Sequence, residues 1–467
     1  MPSSSHSCAS IRGAAFLASI TTICGAALAQ PSFTPRDISL TAVGAQSVFA
    51  VDVDGDGDTD VLSASRLDDA IRWYESDGAT PPTFTPHDIF LTANGASSIF
   101  AADVDGDGHT DILSSSLFDD AIRWYENNGA TPPTFTPHDI SLSADLASSV
   151  FAADVDGDGH TDVLSTSVLD DAVRWYENDG ATPPTFTPHD ISLTADGATR
   201  VFAADVDGDG HTDVLSASYS DDAIRWYEND GATPLTFTHH DISLTVDGAS
   251  VVFAADVDGD GHTDVLSASE VDDAIRWFEN DGATPPSFTP HDISLTVDGA
   301  SSVCTADVDG DGHTDVLSAA FSGNEIRWYE SDGATPPSFT PHDISLTANG
   351  ASSVFAADID GNGHTDVLTS SVNDNTVRWY EGVPACRADI TTQNAPVGDP
   401  NYGMPDGLVT GADIQFYVNA WFAPDAGIAD ITTQNAPLGD PNYGVPDGLV
   451  TGADIQFYVN LWFAGCP

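Results

Sequence analysis

No lysine occurs in these 467 residues; the 12 basic residues are all arginine, against 73 acidic ones, for a formal charge of −61. That balance argues against nucleic acid or an anionic membrane as an electrostatic partner and favours cations. Cysteine is scarce, five in all, and Cys8 and Cys24 fall near the start of the chain. Beyond residue 29 no run is long and apolar enough to cross a bilayer as a helix. A charge this high commonly marks disorder. Here hydrophobic residues make up 41% and aromatics return on schedule, so the chain reads as folded, its charge met largely by metal.

Residues 1–29 read as a secretory signal. Arg12 is their only charged residue, 14–27 is mostly apolar, and Ala27-Leu28-Ala29 offers a small-x-small cleavage site before Gln30. The apolar part is short and interrupted by Ser19, Thr21 and Thr22, which argues against a membrane anchor. An extracellular location is expected, free or attached to the cell surface. Cleavage leaves Cys304, Cys386 and Cys466. Cys304 stands where neighbouring repeats carry Phe253 and Phe355, which predicts a buried thiol. Cys386 and Cys466 bracket the C-terminal region and are expected to pair as a disulfide; a Cys466 left free for attachment is the alternative.

What dominates the chain is Asp103-Val104-Asp105-Gly106-Asp107-Gly108-His109-Thr110-Asp111, with carboxylates at positions 1, 3, 5 and 9. Four like charges this close repel one another unless a hard divalent cation such as calcium gathers their oxygens. The nonapeptide recurs every 51 residues. The candidate ligand sets are Asp52, Asp54, Asp56 and Asp60; Asp103, Asp105, Asp107 and Asp111; Asp154, Asp156, Asp158 and Asp162; Asp205, Asp207, Asp209 and Asp213; Asp256, Asp258, Asp260 and Asp264; Asp307, Asp309, Asp311 and Asp315; and Asp358, Asp360, Asn362 and Asp366.

Each repeat reads as four short strands, at 149–158, 161–167, 172–178 and 186–193 in one copy, separated by turns rich in Gly, Asp, Asn and Pro. Four strands in about 50 residues, repeated, predict the blades of a β-propeller. Inner strands begin near Val48, Ile99, Val150, Val201, Val252, Val303 and Val354, and outer strands at Phe33, Phe84, Phe135, Phe186, Phe237, Phe288 and Phe339. The first outer strand has no inner strand before it, and the last inner strand leads to no outer strand. Residues 33–40 are therefore expected to complete the seventh blade, beside 376–381, and to remove a sheet edge.

The loop and the repeat resemble FG-GAP/VCBS repeats, the type found in the integrin α propeller, over residues 31–382. The resemblance implies side-chain ligands at positions 1, 3, 5 and 9 and a backbone carbonyl at position 7, such as that of His109, with about seven calcium ions in the propeller. Asn362 departs from the pattern and implies a weaker seventh site. In a four-stranded blade the first and third turns open on one face, and the second turn and the inter-blade link on the other. The second turns are where the repeats differ, and several carry apolar residues, among them Leu117, Phe118, Tyr219 and Phe321. They are read as a candidate ligand face, with neutral drift of tolerant loops as the alternative.

His-Asp pairs such as His87-Asp88 and the Arg72-Trp73-Tyr74-Glu75 segment also repeat around the ring. Chemistry needs one asymmetric constellation, so both are read as structural, and no catalytic residue is expected.

After a linker at 383–388 the composition changes. Residues 388–393 return at 429–434, and each copy ends in a Pro-Asp-Gly-Leu-Val-Thr-Gly-Ala-Asp segment. Asp406 and Asp413, and again Asp447 and Asp454, are spaced like positions 5 and 12 of an EF-hand loop, with apolar residues following at helical spacing. Residues 389–467 resemble a tandem type I dockerin of the GC-anchored type, which implies up to two further calcium ions. Asp389 and Asp430, or Asp399 and Asn401, are candidates for the earlier ligands. Such a tail implies a cohesin-like partner or a cell-surface anchor. The expected protein is an all-β seven-bladed propeller with a small α-helical tail, binding a protein or glycan without catalysis. The alternative is a component of an extracellular polysaccharide-degrading system.

Overall fold

The computed structural model describes residues 30–383. The expected signal, the expected dockerin-like tail with Asp406, Asp413, Asp447 and Asp454, and the expected Cys386–Cys466 pair lie outside the described residues. Within them are 28 strands in seven four-stranded antiparallel sheets. The first complete blade is β2 (Ala45–Val51), β3 (Asp60–Ser65), β4 (Ala70–Ser76) and β5 (Phe84–Phe90). The closing blade orders β1 (Ser32–Ser39), β28 (Thr376–Val383), β27 (Asp366–Ser371) and β26 (Ala351–Ala357). Among the described residues the first strand thus pairs with the last, which closes the ring. Arg36 with Glu381, and Arg378 with Asp37 at 2.6 Å, fasten the closure.

Burial follows position in the blade. All six residues of β3, Asp-Val-Leu-Ser-Ala-Ser, are buried, because a second strand is covered on both faces. The outer strand β5 alternates exposed and half-buried positions and carries Pro86, which only an edge strand tolerates. The core lies between blades. Leu113, Ile122 and Trp124 of one blade pack on Ala147, Val150, Val163 and Tyr176 of the next. The expected inner and outer strands run too long at their ends. In the copy read above they are Ala147–Ala153 and Phe186–Ser192, so Leu193 is expelled from the strand and exposed.

The recurring side chains hold this stack together. Trp73 is buried and stacks on His87 at 4.5 Å, and His87 Nε2 lies 2.8 Å from Glu75 Oε2. Arg72 pairs with Asp68 at 2.7 Å and with Asp88 at 2.9 Å. The His-Asp neighbours therefore serve different partners, histidine to glutamate and aspartate to arginine.

Candidate metal centres and the exposed leucine face

Each Asp-rich loop winds its backbone around its own carboxylates. Asp103 Oδ1 accepts from Gly106 N at 2.8 Å, and its Oδ2 accepts from Gly108 N at 2.9 Å. Asp105 Oδ1 accepts from Asp107 N at 3.1 Å. Gly106 and Gly108 sit at φ of 75° and 89°, where a side chain would be strained. Position 9 begins the second strand and is buried. Asp111 Oδ2 accepts from Val104 N at 3.1 Å, and Oδ1 accepts from Asn127 N at 2.7 Å. One carboxylate thereby ties the loop to the end of the third strand.

This arrangement gathers ligand atoms of Asp52, Asp54 and Asp60 within 4.8 Å of one another, and likewise positions 1, 3 and 9 of the next three blades. In the fifth the gathered set is Asp256, Asp258 and Asp260. Position 5 is otherwise set apart: Asp107 is exposed, and its Oδ1 accepts from His109 N at 2.9 Å. The histidine side chain packs over the third turn, where a Cβ on Gly129 would stand 2.0 Å from His109 Nε2. The loops and the third turns thus share one face, and the imidazole lies against the third turn.

The electrostatics fit a cation. Burial pushes the Asp60, Asp264, Asp315 and Asp366 carboxyls up to about 7, and those of Asp111, Asp162 and Asp213 to about 6, despite the backbone N–H groups they accept from. Burial, and the carboxylates beside them, also raise Asp54 and Asp105. In two blades the second oxygen at position 3, Oδ2 of Asp258 and of Asp360, is buried with no hydrogen-bond partner. A buried carboxylate oxygen facing other carboxylates, with no donor, is what a hard cation would satisfy. Positions 1, 3 and 9 would hold it in the first four blades, and positions 1, 3 and 5 in the fifth.

The opposite face is built from the second turns and the links. Ala93 N donates to Asp69 O at 2.9 Å, and Gly95 N to Asp69 Oδ1 at 2.9 Å, tying a second turn to the link that follows. Of the second-turn residues singled out, Phe118 is 51% exposed and Tyr219 37%, while Leu117 and Phe321 are half-buried. Leu67 and Leu169 are each 63% exposed. The links add what sequence reasoning missed: Leu40, Leu91, Leu142, Leu193, Leu244, Leu295 and Leu346, one per blade, all more than half exposed. The signal was present, since the outer strand's pattern invites its final leucine into the sheet. Among the described residues, every large hydrophobic side chain that is exposed lies in a second turn or a link.

The profile of the FG-GAP-like repeat matches residues 33–114, 115–165, 154–216, 205–267, 256–318 and 307–369. The chain belongs to the FG-GAP-like repeat family. FG-GAP repeats often bind calcium, in keeping with these acidic clusters, and FG-GAP propellers are typical of extracellular proteins. Among solved structures, two crystal structures of BBS1N in complex with ARL6DN, one soaked with lead and one with mercury, share the propeller fold. Their TM-scores are 0.50 and 0.51 at 10% identity, covering 75% and 76% of this chain and 96% and 97% of those chains. At that identity the likeness concerns the fold alone. Comparison with curated proteins returns no match.

Proposed function

We propose that this FG-GAP-like propeller is an exported, calcium-stabilised, non-catalytic binding protein. On this reading the second-turn face takes a protein or glycan, and the dockerin-like tail fastens the chain to a cohesin-like module or to the cell surface. One observation carries the choice of face: the exposed leucines, with Phe118 and Tyr219, are confined to it. The metal loops occupy the other face and repeat too closely to discriminate a ligand. On the second-turn face the link leucines form a constant apolar ring, and the second-turn residues beside them vary from blade to blade, as a recognition surface requires.

The test is retention of cell-surface protein and glycan fractions on the immobilised full chain. A variant with Leu67, Phe118, Leu169 and Tyr219 replaced by serine is compared with one carrying Asp107→Asn. The reading expects the first to lose retention and the second to keep it. Equal retention by both would refute it, and release of soluble sugar would favour the polysaccharide-degrading alternative.

A further inference from the structure

The inner strands carry one charged side chain at a position that otherwise holds serine or valine. Arg200 is the third residue of β14 (Ala198–Ala204). The equivalent positions in the other blades hold Ser47, Ser98, Ser149, Val251, Ser302 and Ser353. Arg200 pairs across the blade with Ala217, and Phe202, two residues on, points to the same side of the strand.

Phe202 belongs to a collar. Phe355, Phe49, Phe100, Phe151, Phe202 and Phe253 succeed one another around the axis with ring centroids 4.6–5.0 Å apart, and Cys304 takes the seventh place. Since β14 leads from a link toward a metal loop, Arg200 lies on the link side of the collar. Two residues of strand put it about 7 Å above the phenyl level.

Its guanidinium has nothing to hold. Among the described residues no hydrogen bond, ion pair or ring contact involves the Arg200 side chain. Every other described arginine except Arg66 pairs with a carboxylate, and Arg66 lies over the Phe118 ring at 5.4 Å. Burial alone pulls the Arg200 pKa below the ordinary arginine value, with no carboxylate near enough to oppose it. In a chain with 73 acidic residues this is an isolated cation, held half-buried among the inner strands. None of its nitrogens is among the buried atoms without a partner, so the unpaired guanidinium is open to solvent and its donors are free to take a ligand.

We propose that Arg200 is a carboxylate-binding site at the second-turn mouth of the central channel, with the phenylalanine collar as its floor. A planar carboxylate matches the guanidinium fork. The surrounding negative charge rejects polyanions, leaving small organic acids or a single carboxylate on an inserted chain. The site stands whether or not the leucine face is a recognition surface; if both hold, the acid anchors a ligand whose apolar part rests on the leucines.

The test is fluorine NMR of trifluoroacetate with the calcium-loaded full chain, alongside calorimetry with N-acetyl-leucine and N-acetyl-leucinamide. The chains compared are the wild type, Arg200→Ser, which installs the residue most other blades carry, and Arg200→Lys, which keeps the charge if serine disturbs folding. Saturable binding of trifluoroacetate is expected in the wild type, about tenfold to a hundredfold weaker in Arg200→Ser and intermediate in Arg200→Lys. N-acetyl-leucine binding more tightly than trifluoroacetate, and the amide not at all, would identify a ligand with an apolar arm; equal binding of the two acids would identify a small-acid site. No saturable binding to the wild type, or equal binding to all three chains, overturns the proposal. Loss of retention in the leucine-face variant with trifluoroacetate binding intact would separate this site from the face reading.

Discussion

Asp111 and Asp107 stand four residues apart in one loop, yet the structure gives them different work, and Asp111→Ala and Asp107→Ala separate the two. Asp111 is fully buried and accepts from two buried N–H groups, those of Val104 and Asn127. Alanine leaves both without an acceptor. A buried unsatisfied donor costs about 1–3 kcal/mol, so the expected loss is about 2–6 kcal/mol with no metal present. Asp107 is exposed, and its removal in chelator should change stability by no more than about 0.5 kcal/mol. The assay is thermal unfolding of the full chain by circular dichroism, in chelator and in calcium. Asp111→Ala should melt several degrees lower in both buffers. Asp107→Ala should match the wild type in chelator and in calcium lose at most part of one loop's stabilisation. Equal melting of the two variants in chelator would refute the assignment of position 9 to the scaffold.

Metal-free stability should depend on pH in a direction that the position-9 carboxyls set. Their folded pKa values of about 6 to 7 lie above the ordinary 3.8, so the folded chain holds more protons between these limits. Their contribution is full below 3.8 and is lost as pH rises through 7; chelated melts across that window should show the fall, while the increment that calcium adds should grow. Leu146→Gly should stabilise the protein by about 1 kcal/mol, read by urea denaturation, because Leu146 holds φ at 53° where the other links carry glycine, as Gly95 does at 73°. Its lost side-chain contacts reduce that gain, and a net loss would contradict the strain.

The blade count and the closure were legible because both rest on period. A 51-residue repeat with one outer strand ahead of the first unit and a last unit that lacks its outer strand leaves little choice of topology. The acidic loops were legible for the same reason, though spacing alone could not show that positions 1, 3 and 9 converge in the first four blades while position 5 joins positions 1 and 3 in the fifth. That depends on where the second strand begins, and Asp111 is its first residue. The leucine ring was missed because Leu193 satisfies the strand pattern, and only the end of pairing at Ser192 frees it. Arg200 is visible as an exception to Ser at its position, but its lack of a partner needed the folded ring.

Calcium as scaffold is tested most directly by melting the chelated full chain against the same chain resupplied with calcium. A cation bound only by the folded state must raise its stability. The melting temperature should rise with calcium concentration and saturate as the blade loops fill, with Asn362 marking the weakest site. An unchanged melting temperature across the titration would contradict the metal reading of all seven loops.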